Sequence, residues 1–124
     1  MQSSSLPEKK SLIEAIRLAA GFGRRVAIVV PRRKGVKPLF REVENLAQPA
    51  LVRFAYRTNG MERIIFRSGG QIRFFGSGDR IRGYSCDVLV ANEAFTDDQM
   101  KGLLPAIATS EHRQVIRLGN SERE

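Results

Sequence analysis

Leu12, Ile13, Ile16, Ala19 and Ala20 recur at the spacing of one helical face, and Gly21 and Gly23 close that run, which predicts a helix over 12–20. The period then changes. Val26 to Val30 (VAIVV) is an unbroken, largely β-branched stretch without polar alternation, the pattern of a parallel strand covered on both faces, and Pro31 ends it. A basic loop follows, RRKGVKP. Leu39, Phe40, Val43, Leu46 and Ala47 then form the apolar stripe of a second helix over 39–47, with Pro38 suited to its first turn. In the middle of the chain LVRFAYR and QIRFF alternate, RIIFR lies between them, and Ser68-Gly69-Gly70 suits a hairpin turn. Three short strands are expected there, two of them antiparallel. CDVLVA reads as another buried parallel strand, including Val88 to Ala91. Thr96-Asp97-Asp98-Gln99 fits a capping box at the start of a third helix, with Pro105 near its end, and QVIRL (114–118) is a last strand. This order predicts an α/β fold with a mostly parallel sheet carrying an antiparallel hairpin.

Composition narrows the picture. At 124 residues and 42% hydrophobic content the chain is expected to form one domain, 1–124. Its longest apolar runs fall far short of the roughly 18 residues of a membrane span, and MQSSSLPEKK lacks the apolar core of a signal peptide, so an intracellular protein is expected. A single Cys86 and a single His112 exclude an internal disulfide and a cysteine-cluster metal site. Cys86 is expected to be buried at a strand start with no base to activate it. The formal net charge is +8, and it is uneven: residues 1–82 hold 17 Lys or Arg against 6 acids, residues 83–124 hold 4 against 7. Such a basic half suits a polyanion, DNA first among them, or else serves as a solubilising surface. The group expected to face DNA phosphates is Arg32, Arg33, Lys34 and Lys37, in a loop at the carboxyl end of a parallel strand.

The chain also carries fragments of nucleotide-site chemistry. A phosphate-binding loop needs glycines so that backbone N–H groups can wrap phosphates, a Lys for the β and γ phosphates, and a Ser or Thr for Mg²⁺. Lys10-Ser11 has the right types at a helix start, but Ser4 and Lys9 fill the glycine positions. Pro7 removes an N–H donor, Glu8 brings a negative charge, and three residues ahead of the loop cannot supply a strand. At the end of the VLVA strand, where an Asp-Glu pair would hold Mg²⁺ and orient water, stands Asn92-Glu93. Asn92 carries no charge to balance a hard cation, whereas Glu93 has the chemistry of a base.

Taken in order, Gly69-Gly70, Phe74 to Ser77, Arg82-Gly83, Val88 to Ala94, Leu103 to Pro105 and Val115 to Gly119 resemble the motif series of the ATPase domain of phage terminase large subunits, the DNA-packaging motors. GRRVAIVVPRRKGVKPLFREVENLA is similar to the strand and helix that follow the phosphate-loop helix in that family, so the resemblance spans nearly the whole chain. It implies a RecA-like three-layer sandwich, with 1–11 as a degenerate phosphate-loop region and 120–124 as a flexible tail. It places Lys10, Ser11 and Asn92 at the nucleotide and Mg²⁺ positions, Glu93 at the water-orienting position, and Arg82 (or the nearby Arg80) as a phosphate-facing arginine. Only Asn120 and Ser121 stand near the family's coupling position. The expected function is a terminase-like domain that does not hydrolyse nucleotide and binds DNA non-specifically or other packaging proteins in the host cytoplasm. It is expected to need no cofactor, ATP and Mg²⁺ being relevant only if the site works. The alternatives are an ATPase completed by another chain, including a homo-oligomer, and a small phage or satellite protein that modulates the motor.

Overall fold

The computed structural model describes residues 8–76, 81 and 84–119. Helix α1 (Glu8–Ile16) runs into a π-helical turn, Arg17–Gly21, and then into strand β1 (Arg25–Val29). A 3₁₀ turn (Arg33–Gly35) leads to α2 (Val36–Leu46). The strands β2 (Val52–Tyr56), β3 (Arg63–Phe66) and β4 (Gln71–Phe75) come next, followed by β5 (Val88–Asn92), α3 (Asp97–Leu103), a 3₁₀ turn (Leu104–Ile107) and β6 (Gln114–Leu118). The strands form one six-stranded sheet in the order β2-β3-β4-β1-β5-β6. β4, β1, β5 and β6 are mutually parallel; β2, β3 and β4 are successive antiparallel neighbours.

β1 lies at the centre because its sequence tolerates nothing else. Val26 to Val29 are buried on both faces, so each neighbour must be another strand and each face must be covered. One face carries α1 and α2: Leu12, Ala15, Val36, Phe40 and Val43 pack on Val26, Ile28, Ile64, Phe66, Ile72, Phe74 and Val90. The other face, over β1 and β5, is covered by α3 and its following turn, through Met100 and Ile107 against Ala27, Val29, Phe75 and Leu89. Each fully buried Ile or Phe contributes about 1.5–3 kcal/mol, so this double covering is the main source of stability. α3 starts as the sequence predicts: the Thr96 hydroxyl accepts from Gln99 N–H, and the Gln99 side chain accepts from Thr96 N–H.

The first helix differs from its expected 12–20 span. It begins at Glu8, which puts Lys10 and Ser11 inside its first turn, and its last five residues widen into the π-helical turn. There the Ala19 carbonyl accepts from Gly23 N–H and from the Ser68 hydroxyl at 2.9 Å, joining the helix end to the β3–β4 hairpin. Gly70 makes that approach possible, because a Cβ on it would stand 2.0 Å from the Ala19 oxygen. No helix among the described residues is long and apolar enough to cross a membrane.

Candidate functional site

A cleft of about 540 Å³ opens at the carboxyl ends of β1, β5 and β6. Val30, Pro31 and Arg32 leave β1 into it, Asn92 and Ala94 come from β5, and Leu118 from β6. Glu8 enters from the start of α1, and Pro38, Leu39 and Glu42 from α2. Lys34 and Gly35 complete its rim. The turn that holds Arg32 to Gly35 sits directly on the end of β4. A Cβ at Gly76 would lie 2.6 Å from the Arg33 Cα, so glycine is what lets the two segments touch.

The structure divides the basic loop into two pairs. Arg32 and Lys34 line the cleft, in the company of two carboxylates, Glu8 and Glu42. Arg33 and Lys37 bind Glu62 instead. The Glu62 side chain is fully covered; Arg33 Nη2 reaches its two oxygens at 2.6 and 2.8 Å, Lys37 Nζ lies at 3.3 Å, and Gly60 N–H donates at 3.0 Å. Burial by itself would raise the Glu62 pKa, but the hydrogen bonds from Arg33, its own backbone amide and Lys37 outweigh it and hold the carboxyl below its ordinary value. Lys37 also donates to the Arg57 carbonyl at 2.6 Å.

Of the residues expected at nucleotide-site positions, Ser11 and Asn92 make structural bonds. Ser11 is fully buried and its hydroxyl donates to the Arg117 carbonyl at 3.3 Å, tying α1 to β6. Lys10 is exposed and does not line the cleft. Asn92 ends β5, and its Oδ1 accepts from Ala94 N–H at 2.8 Å, closing an Asx turn. Arg117 Nη2 clamps the same turn by donating to the carbonyls of Asn92 (3.2 Å) and Phe95 (2.8 Å). Glu93 is exposed, and its N–H donates to the Leu118 carbonyl. Arg82, Arg80, Asn120, Ser121 and the phosphate-loop stretch before Glu8 lie outside the described residues. No group of three His, Cys, Asp or Glu side chains able to hold a metal occurs among the described residues.

Cys86 is buried and free, and burial, reinforced by Asp87, pushes its thiol up to about 11, so it is a thiol and not a thiolate at neutral pH. Asp87, just ahead of β5, joins three strand starts: its Oδ2 accepts from Arg25 N–H at 3.0 Å and its carbonyl from Gln114 N–H at 3.0 Å, while Oδ1 accepts from the Ser110 hydroxyl at 2.6 Å.

Sequence reasoning missed two residues. Glu62 left a signal: it is the only carboxylate between Glu44 and Asp79, in a stretch that holds five arginines. Arg117 left only a weak one, a charged residue within an otherwise strand-like pentapeptide, and its reach to the β5 turn is a matter of strand order.

No family model matches the chain, and no curated protein matches it. Two solved structures resemble it. The large terminase ATPase domain of Thermus phage P74-26 superposes with a TM-score of 0.63 at 14% identity, over 94% of this chain and 60% of that one. The large terminase of another thermophilic bacteriophage, solved in complex with ADP, gives a weaker likeness: TM-score 0.49, 11% identity, 76% of this chain and 25% of that one. The chain therefore spans less than two thirds of either protein. Its mixed six-stranded sheet, mostly parallel with an antiparallel hairpin, has the α/β fold of a phage terminase ATPase domain.

Proposed function

We propose that this chain is a terminase-like domain of DNA packaging that does not turn over nucleotide, and that Arg32 and Lys34 bring its cleft to DNA phosphates. One observation carries the first half: the two side chains at the metal-facing positions are both engaged elsewhere. Ser11 donates to the Arg117 carbonyl, and the Asn92 oxygen accepts from Ala94 N–H. A Mg²⁺ bound there would need an anionic ligand, and Asn92 offers only a neutral amide. Glu8 in the cleft would further repel the phosphates of a nucleotide. On this reading ATP and Mg²⁺ do not fit the described residues. Titration calorimetry of Mg²⁺-ATP into the protein is expected to be flat. Saturable binding tighter than about 100 μM, roughly −5.5 kcal/mol, overturns the reading.

DNA binding at this cleft is sequence-independent, since its cations are suited to phosphates and offer no base-reading geometry. Arg32→Ala with Lys34→Ala should weaken duplex binding in fluorescence anisotropy and flatten its salt dependence. Unchanged binding in that variant removes the cleft from the account.

One feature favours a second reading, an ATPase completed by another chain. Among the described residues β6 pairs only with β5, and Val115 on it is 40% exposed, leaving an edge that a further strand could occupy. ATP turnover per chain that rises with protein concentration supports completion by a second copy; turnover absent at every concentration opposes it.

A further inference from the structure

The sheet has a second surface that the cleft does not include. β2 and β3 carry core residues on the α1–α2 side only; their other face has no helix over it among the described residues. A register shift between Val52 and Phe54 sets up that face. The bulge keeps Val52 and Ala55 against the core while turning Phe54 and Tyr56 outward together. Phe54 is 51% exposed and Tyr56 38%, with ring centroids 6.0 Å apart. Tyr56 stands opposite Arg63, and Arg63 opposite Arg73, so the two arginines lie on the same face as the two rings.

These arginines are paired with rings and not with acids. The Arg63 guanidinium lies 4.6 Å from the Tyr56 centroid, that of Arg53 5.7 Å from Phe54, and that of Arg73 5.2 Å from Phe75. Arg25 and Arg73 both lie over Tyr84. None of Arg25, Arg53, Arg63 or Arg73 forms an ion pair among the described residues, and the Nε groups of Arg63 and Arg73 have no hydrogen-bond acceptor. A face with two exposed rings beside guanidiniums that meet no carboxylate among the described residues complements a chain that is polyanionic along its backbone and aromatic in its side groups.

We propose that this face, centred on Phe54, Tyr56, Arg63 and Arg73, binds single-stranded nucleic acid, with bases stacked on the two rings and phosphates on the arginines. A duplex is a poor fit, because its bases are already stacked on one another and offer no face to Phe54 or Tyr56. The proposal is independent of the cleft, since neither Arg32 nor Lys34 belongs to this face.

The test is fluorescence anisotropy with labelled dT15, rU15 and a 15-base-pair duplex as probes. Either single strand should bind at least 10-fold tighter than the duplex. Phe54→Ala with Tyr56→Ala should cut single-strand affinity by about 10-fold or more, while the Arg32→Ala, Lys34→Ala variant should leave it unchanged. Both rings are on the surface, so the double variant should melt near the parent. A second readout does not depend on that variant. The protein has no Trp and two Tyr, so in a Tyr84→Phe background Tyr56 is the one tyrosine emitter, and dT15 should quench it. Equal affinity for duplex with no effect of the double ring variant, or absence of quenching, overturns the proposal. So does displacement by poly-glutamate as readily as by dT15, which would mark an acidic protein partner. Concentration-dependent dimerisation abolished by Phe54→Ala would also overturn it, assigning the face to a second copy.

Discussion

At the carboxyl ends of β1, β5 and β6, Arg32 and Lys34 share their cleft with Glu8 and Glu42, and the neighbouring Arg33 and Lys37 are held by Glu62. On the open face of the hairpin, Arg53, Arg63 and Arg73 lie over aromatic rings and meet no carboxylate among the described residues. Both regions contribute to the basic excess of the first 82 residues, yet they present it differently. A cation paired with a carboxylate must give up that partner before a phosphate can use it. A guanidinium resting on a ring keeps its full charge, and it is already oriented. Net charge therefore overstates the basic loop, where Arg33 and Lys37 are committed to Glu62, and understates the hairpin.

The strongest way to test the contrast is to remove the buried carboxylate. Glu62→Ala removes the buried carboxylate that Arg33 and Lys37 bind, and should cost about 2–3 kcal/mol in urea denaturation. That is below the roughly 3–5 kcal/mol typical of breaking a fully buried pair, because both cations are partly exposed. Arg33→Ala in the same background should cost much less than it does alone, the signature of direct coupling. A loss below about 0.5 kcal/mol for Glu62→Ala would mean that the ion pair leaves the loop unsupported.

Acid should act through the same group. The carboxyls of Glu62 and Asp87 are held below their ordinary values in the folded state. Their contribution to stability is present above the unfolded pKa, and it is lost as pH falls through the folded one. Melting temperature should thus drop below about pH 5, and Glu62→Gln should show a shallower drop than the parent. An identical acid limb in the two proteins removes Glu62 from the pH response.

Salt dependence separates the two basic regions. Removing Arg63 and Arg73 should reduce the log–log salt slope for dT15 by about 0.7 for each phosphate no longer neutralised, and Arg32→Ala with Lys34→Ala should act on duplex binding alone. If both pairs alter both ligands equally, the two surfaces are one. The smallest effect belongs to Asn92→Asp. A carboxylate there can still accept the Ala94 N–H, so stability should change by no more than about 0.5 kcal/mol, with repulsion from Glu93 setting the sign. Mg²⁺-ATP titration should stay flat in that variant, because Ser11 remains bonded to the Arg117 carbonyl.

The elements most legible in the sequence were those whose pattern reflects local physics. VAIVV and VLVA read as strands because burial on both faces demands apolar, branched residues, QVIRL because its apolar residues are largely β-branched, and Thr96 with Gln99 read as a helix start because the capping bonds join near neighbours. What escaped was non-local. Nothing in the chain order says that β1 sits between β4 and β5, and only that arrangement sets Arg117 beside the Asn92 turn. The bulge at Arg53 was hidden in LVRFAYR, whose simple alternation would have put Val52 and Phe54 on one face. Glu62 went unnoticed because its burial depends on Arg33, far earlier in the chain.

The placement of β1 bears on how the protein assembles. The β3–β4 hairpin can close early through near neighbours, with Phe66 N–H donating to the Gly70 carbonyl. β1 cannot pair until residues far along the chain arrive, Gln71 opposite Arg25 and Val88 opposite Val26. Until then its uncharged, β-branched run is the most self-adhesive segment of the molecule. Arg24 and Arg25 stand immediately before it, and Pro31, Arg32, Arg33 and Lys34 immediately after. In the unfolded chain these flanking charges and the proline act as gatekeepers, keeping one copy of β1 from pairing with another. The loop read first as a ligand for DNA thus also protects the central strand of its own sheet during the interval before that sheet exists.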